Sequence, residues 1–318
     1  MTRMKAPASD ILRQANEVLG SHDFHPDGLA RETQWPACFI AAPPRGGSTL
    51  LQQVLISAFK FGYVSNLMAR FWNVPALGAA LQSEFAPVAF RSSFVSKFGN
   101  TDGQFEPHEW GWFWRKWLSL EGNEHHITRT VDWRGLKSTL AILERILGAP
   151  LLFDSPLAGS NLPEVSDGLG KILVLNLSRS PWYVCNSLLN ARIERYGTLD
   201  AHYGATVKNQ QELERVADPI EQIVRQAWTL IDEQARQVAE LPTLHVLHLR
   251  YEKLRADPMA VIDQVETFYE SHGISLERMD LELEPFPDRN RHARINAKFA
   301  DALSTQVERY FGADAVPK

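Results

Sequence analysis

The sequence predicts an α/β protein whose parallel sheet is covered by helices on both faces. Short apolar runs rich in β-branched or aromatic residues recur along the chain, and amphipathic segments with apolar residues at helical spacing alternate with them. Glycine and proline fill the breaks where a strand must turn into a helix.

The elements follow in order. Residues 1–35 read as an N-terminal arm with one helix, and 36–318 as a single domain, because no Pro/Gly/Ser linker divides them. The first strand is "ACFIAA", Ala37 to Ala42, which ends at Pro43-Pro44-Arg45-Gly46-Gly47. From Ser48 a helix begins, with Leu50, Leu51, Val54, Leu55 and Ala58 on its apolar face. "GYV" near Tyr63 is a further short strand. Residues 67–132 break the alternation and are rich in aromatics, which predicts a helical insertion or lid that forms an acceptor pocket. A helix ended by Gly148 and Pro150 leads to the strand "LLF", Leu151 to Phe153. "KILVLNL", Lys171 to Leu177, is the next strand; Ser180 then serves as N-cap, Pro181 opens a helix, and Gly197 stops it after Tyr196. "LHVLHL", Leu244 to Leu249, is another strand, followed by a helix opened by Asp257 and Pro258.

Composition narrows the function classes. The chain has 318 residues, 44% hydrophobic and 22% charged, so a large core needs no staples. A formal net charge of -5 argues against nucleic-acid binding, which calls for a basic surplus. The two cysteines, Cys38 and Cys185, sit in apolar runs without metal-ligand spacing and read as buried hydrophobes in a reducing compartment. No apolar run is long enough for a signal peptide core or a membrane span, so the expected location is cytoplasmic.

The stretch after the first strand, "PPRGGSTLL", carries the chemistry. A helix N-terminus offers free backbone N–H groups and a partial positive charge, which together favour an anion. Gly46 and Gly47 let the backbone approach its oxygens, Ser48 and Thr49 add hydroxyl donors, and Arg45 adds a fixed charge. An ATP-binding loop of the G-x-x-x-x-G-K-[ST] type would carry a lysine and would want a magnesium-binding aspartate on a later strand. This loop has no such lysine, and the strand "VLNLSRSP" presents Asn176 and Arg179 instead. The site is therefore expected to hold an anion without a metal.

"PPRGGSTLL" and "LNLSRSPWYVCNSLL" together resemble the two nucleotide motifs of the sulfotransferases that use 3'-phosphoadenosine 5'-phosphosulfate (PAPS). A third stretch, "LRYEKLRADP" from Leu249 to Pro258, is similar to a segment of the bacterial members, and the resemblance spans residues 37 to 311. It implies a P-loop NTPase-like sulfotransferase fold. It also implies that Arg45, Gly46, Gly47, Ser48 and Thr49 bind the 5'-phosphosulfate, and that Arg179 and Ser187 bind the 3'-phosphate. The basic cluster Arg289, Arg291, His292 and Arg294 stands where similar chains often add a contact to that phosphate, which makes Arg291 a further expected ligand. The product would be 3',5'-adenosine bisphosphate (PAP).

The departures bear on the proton acceptor. Gly46-Gly47-Ser48-Thr49 stands in place of S-G-T-T and loses one loop hydroxyl. Where many relatives carry a glutamate base after the second strand, this chain has Ser65 and Asn66. Where others carry a lysine, "LLFDSP" places Asp154. The acceptor's proton must still go to a group within hydrogen-bond reach. "FEPHEWGWFWRKW" offers His108 and Glu109 after Pro107, which is expected to open a helix. The alternative is that both cap a helix whose aromatics fill the core.

Elsewhere, His125, His126 and Asp132 read as exposed loop rather than pocket mouth, and His245 and His248 as core residues of a strand. The expected activity is transfer of a sulfuryl group to a hydroxyl of a small molecule with an apolar or aromatic body. Two other readings stay open: a P-loop nucleotide or metabolite kinase, and a silent nucleotide-binding relative.

Overall fold

The computed structural model describes residues 6–20, 32–204, 206–207, 209–287 and 297–317. Four parallel strands form the sheet: β1 Cys38–Ala41, β2 Leu152–Asp154, β3 Leu173–Ser178 and β4 Val246–Arg250, in the order β2-β1-β3-β4. The register pairs Ile40 with Asp154, Ala41 with Asn176 and Ser178 with Arg250. The carboxyl ends of all four strands therefore lie on one edge, where open α/β sheets bind their ligands.

Around the sheet run α1 (Ala6–Gly20), α2 (Ser48–Ala58), α3 (Pro75–Phe85), α4 (Gly111–Trp117), α5 (Trp133–Leu147), α6 (Pro156–Gly159) and α7 (Leu162–Leu169). The chain continues through α8 (Pro181–Tyr196), α9 (Gln210–Glu214), α10 (Pro219–Ala239), α11 (Tyr251–Ala256), α12 (Pro258–Glu270) and α13 (Ala297–Phe311).

Alternation along β1 sorts the core into two layers, because successive side chains of a strand point to opposite faces. Cys38 and Ile40 pack with Leu51, Val54 and Leu55 of α2 and with Val261, Ile262 and Val265 of α12. Phe39 and Ala41 pack on the other face with Phe113 and Trp114 of α4 and Leu136, Leu140 and Leu143 of α5. A separate cluster joins α8, α10 and α13 through Trp182, Leu188, Ile223, Val224, Leu303 and Val307. Both cysteines are buried free thiols, as expected, and burial pushes both thiols upward in pKa.

The helix ends follow their sequence signals. Gly148 and Gly197 adopt left-handed conformations after α5 and α8, and the Asp257 side chain accepts from the Ala260 N–H to open α12. Ser180 stands at the N-cap of α8 without a side-chain bond; its own N–H donates to Glu252 Oε1 at 3.0 Å.

Four expectations need correction. The stretch near Tyr63 makes one isolated bridge, Gly62 to Leu151, rather than a strand. Of the insertion 67–132, only a 3-10 turn at Met68–Phe71, α3 and α4 are helical; residues 86–110 run as irregular chain. Pro107 opens no helix: it bridges to Ser65, and α4 begins at Gly111 after Trp110 in a left-handed conformation. His248 is exposed on the edge strand rather than buried, and His245 lies in a 3-10 turn before it.

Candidate active site

A cavity of about 1950 Å³ opens at the carboxyl edge of the sheet. That exceeds the few hundred to 1,000 Å³ usual for one small ligand, so it has room for two reaction partners.

The loop after β1 forms its floor. Arg45 (φ 66°) and Gly47 (φ 100°) both take left-handed backbone conformations, and Gly47 caps α2. Glycine is required at 47 for a second reason: a Cβ there would lie 2.4 Å from Cδ2 of Tyr251. Arg45 carries strain that a neighbour must hold. That neighbour is Arg179, immediately after β3, whose Nη1 donates to the Arg45 carbonyl oxygen at 2.7 Å. Arg45 in turn donates from Nε to Ser187 Oγ at 3.0 Å, across from α8.

Arg179 lies over the ring of Tyr251, 4.4 Å from its centroid. Such stacking holds the planar guanidinium in one orientation. Burial lowers the Arg179 pKa from the ordinary arginine value and Arg45 adds to that, while Tyr251 and Glu252 oppose it. A partly desolvated pair of cations with loop N–H groups beside it is an arrangement that calls for an anion. The two sequence motifs thus meet in one cleft: Arg45, Gly47, Ser48, Thr49, Arg179 and Ser187 all line the cavity. Gly46 is buried beneath them, its N–H on the Pro43 carbonyl at 2.8 Å. Arg291 and its basic neighbours lie outside the described residues.

On the other side of the loop stand two acids. Asp154 closes β2, is 4% exposed, and is hydrogen-bonded by Ser48. Glu109 Oε1 and Thr49 Oγ1 both face Gly99, at 3.1 Å and 4.0 Å from where a Cβ would stand. Burial raises the Glu109 carboxyl to about 8, with the Asp154 charge adding to the rise and Arg45 opposing it. Burial likewise raises Asp154 to about 7, and its Ser48 bond offsets part of that.

Glu109 reaches this place because of the bridge between Ser65 and Pro107 and the bond from His108 N–H to the Val64 carbonyl at 2.8 Å. That pairing lays residues 107–109 beside Ser65 and Asn66. Ser65 is fully buried, its Oγ accepting the Met68 N–H and its own N–H donating to Gln82 Oε1, and Asn66 spends its amide on Thr101 and Gly103. His108 also lines the cavity, but its Nδ1 accepts the Trp110 N–H at 2.8 Å, and burial lowers its pKa. The neutral ring therefore carries its proton on Nε2 and presents a donor.

The wall of the cavity is aromatic. Trp72 and Trp112 lie 6.2 Å apart, Phe94 and Phe286 5.4 Å apart, and the Arg45 guanidinium sits 5.5 Å from the Phe98 centroid. The Trp110 to Trp117 segment divides its labour: Trp110 and Trp114 are in the core, whereas Trp112 is 65% exposed and lines the cavity. The loop that carries Phe94 and Phe98 is anchored by the buried Glu106, which accepts from Gln53 Nε2 (2.9 Å), Ser92 Oγ (2.6 Å) and the Ser93 N–H (2.5 Å). Sequence reasoning passed over Glu106, whose carboxylate has no motif to mark it. It also passed over Tyr251 as a site residue, although "LRYEK" named the segment.

His125 is not simply exposed loop. It is half-buried on the cavity wall, its pKa lowered to about 4 by burial and then by Arg115, while His126 faces Glu233 Oε1 at 3.4 Å. Asp132 is exposed and caps α5 by accepting from the Gly135 N–H at 2.9 Å.

No family model matches the sequence, and comparison with curated proteins finds no match. Solved structures do match the fold. Sulfotransferase STF1 from Mycobacterium tuberculosis H37Rv aligns over 96% of this chain and 82% of its own, with a TM-score of 0.54 at 15% identity. Sulfotransferase STF9 from Mycobacterium avium covers 95% and 79%, with a TM-score of 0.47 at 13% identity. Among the described residues no helix is long and apolar enough to cross a membrane. With the parallel sheet, the anion-type loop after β1 and the arginine after β3, the likeness to STF1 shows the scaffold: the chain has the α/β fold of the sulfotransferases it is similar to.

Proposed function

We propose that the chain is a PAPS-dependent sulfotransferase acting on a hydroxyl of a small molecule with an apolar or aromatic body. One observation carries the reading: Arg179 clasps the Arg45 carbonyl while Arg45 reaches Ser187, so residues of two distant motifs converge on one anion-type cleft.

The residues present suit the donor. The glycines leave a cradle that a Cβ at 47 would destroy, and the loop N–H groups with Arg45, Ser48 and Thr49 would hold the phosphosulfate end. Arg179 and Ser187 would hold the 3'-phosphate. The donor, when bound, supplies an activated sulfuryl group for in-line displacement, and charge develops on the departing phosphate oxygen. Preorganised N–H groups and Arg45 stabilise that charge without reorganising, which is where such a site gains most of its rate.

Of the two sequence candidates for the proton acceptor, the geometry favours Glu109. Its carboxyl shares the space at Gly99 with Thr49 of the loop, and burial raises it to about 8, toward the neutral range where a general base is most effective. The His108 lone pair is engaged by Trp110, so His108 suits a donor that orients the acceptor oxygen. The aromatic wall of Trp72, Trp112, Phe94 and Phe98 would take the acceptor's body.

A specific contact favours the kinase reading in part. A loop hydroxyl paired with an aspartate on the neighbouring strand, here Ser48 and Asp154, is what magnesium-nucleotide enzymes use. Calorimetric titration with PAP and, separately, with ATP and magnesium divides the readings. Tight binding of PAP with weak binding of ATP supports the sulfotransferase; magnesium-dependent ATP binding with no response to PAP overturns it.

A further inference from the structure

Two carboxyl groups beside an anion cradle are an electrostatic contradiction. Asp154 touches the loop through Ser48, and Glu109 faces the loop beside Thr49; both line the same cavity. Asp154 is almost wholly out of water and Glu109 is half-buried, so their charges are poorly screened. Two like charges sharing a desolvated site cannot both ionise freely. A third negative group, placed in the cradle between them and Arg45, raises the cost further.

We infer that Asp154 and Glu109 form a two-carboxyl unit that holds at least one proton whenever an anion occupies the cradle, and that above neutral pH anion binding draws this proton from solvent. The inference rests on the anion reading of the loop given above and assigns to Asp154 a role that no motif gives it. Asp154 is a positioning residue that acts through Glu109.

The charges that face the unit are those of Arg45 from the loop and of the two acids on each other, with the neutral hydroxyls of Ser48 and Thr49 between. Arg45 favours ionisation of Glu109; the incoming anion neutralises that help. The free unit near pH 8 is therefore divided between its singly and doubly ionised forms, and an anion in the cradle drives it to the singly ionised form. The balance is one proton taken from buffer for each doubly ionised unit that binds an anion, with no bond made or broken in the ligand. The second carboxylate stays ionised and is free to accept the acceptor's proton. Paired acids of this kind titrate as a unit, so the transferable proton belongs to the pair.

The test is calorimetric titration of the full chain with PAP at pH 8, in buffers of widely different ionisation enthalpy. The ligand's phosphates are already fully ionised there, their second pKa lying near about 6, so a proton taken up belongs to the protein. The expected slope corresponds to uptake of roughly half a proton per nucleotide at pH 8, where about half of the free units are doubly ionised. Asp154→Asn and, independently, Glu109→Gln should bind PAP with the pH 8 uptake abolished. Binding by the parent chain without proton uptake, or unchanged uptake in both variants, overturns the inference while leaving the donor reading intact. Failure of PAP to bind in any buffer overturns the donor reading, and the unit's role with it.

Discussion

Arg179 Nη1 lies 2.7 Å from the carbonyl oxygen of Arg45, whose own backbone is held at φ 66°. The residue that the second motif contributes to the cleft is thus also the residue that clamps the strained loop of the first. On the proposed reading, anion binding and loop conformation are coupled through this one contact.

Removal of the clamp should be felt in affinity. Arg179→Ala loses a charge-assisted contact worth about 1.5–3 kcal/mol, which corresponds to roughly 10- to 150-fold weaker PAP binding. Arg179→Lys should recover only part of it, because an ammonium cannot both reach the Arg45 carbonyl and lie flat over Tyr251. Isothermal titration of both variants checks this, and equal affinities for parent and alanine variant would refute it.

Gly47→Ala should damage the cradle without touching any charge. It places a side chain at φ 100° and a Cβ 2.4 Å from the Tyr251 ring. The expected cost is on the order of 1–3 kcal/mol in stability, with loss of nucleotide binding. Thermal unfolding with and without PAP separates the two effects.

Glu109→Gln should lower turnover with a cognate acceptor roughly 100-fold or more, while PAP binds at least as tightly because a buried charge is gone. His108→Gln should instead raise the acceptor KM and leave most of the turnover. A parent-like rate in Glu109→Gln would remove it from the role.

The two acids also make a stability prediction. Their folded-state pKa values, about 8 and about 7, lie above the ordinary 4.5 and 3.8. The folded protein therefore binds more protons than the unfolded chain in this window, and the contribution of the acids to stability is full below the ordinary values and lost as pH rises through the folded ones. The Tm of Glu109→Gln relative to the parent should rise between about pH 4.5 and pH 8. A constant difference across that range contradicts the burial of this carboxyl.

Within the aromatic segment, Trp114→Ala should cost about 3–5 kcal/mol, because Trp114 is fully buried with its ring 5.5 Å from Phe39 and 5.1 Å from Phe153. Trp112→Ala should leave unfolding nearly unchanged and weaken acceptor binding. Denaturant titration and acceptor KM read the two outcomes.

The sequence made the scaffold legible because its signals are local. Apolar runs gave the four strands, and Gly148, Gly197 and Asp257 marked helix ends through conformations that those residues favour. Both motifs of the cleft could also be read, each being a strand end followed by a helix N-terminus. The acid pair could not: Glu109 is brought to the loop by a bridge between Ser65 and Pro107, a tertiary contact with no local spelling. The same holds for Asp154, whose meaning depends on β2 lying beside β1. His108 reads from the sequence as the stronger base candidate, but its Nδ1 lone pair is taken by the Trp110 N–H, a contact that the sequence does not spell.

The central claim, that the loop and Arg179 grip opposite ends of one doubly phosphorylated adenosine, is tested most directly by a cycle of two ligands and two proteins. PAP and adenosine 5'-phosphate are titrated into the parent chain and into Arg179→Ala. If Arg179 reads the 3'-phosphate, the parent prefers PAP by roughly 10-fold or more and the variant loses that preference while binding the 5'-phosphate almost as before. A preference that survives the substitution undiminished would contradict the assignment.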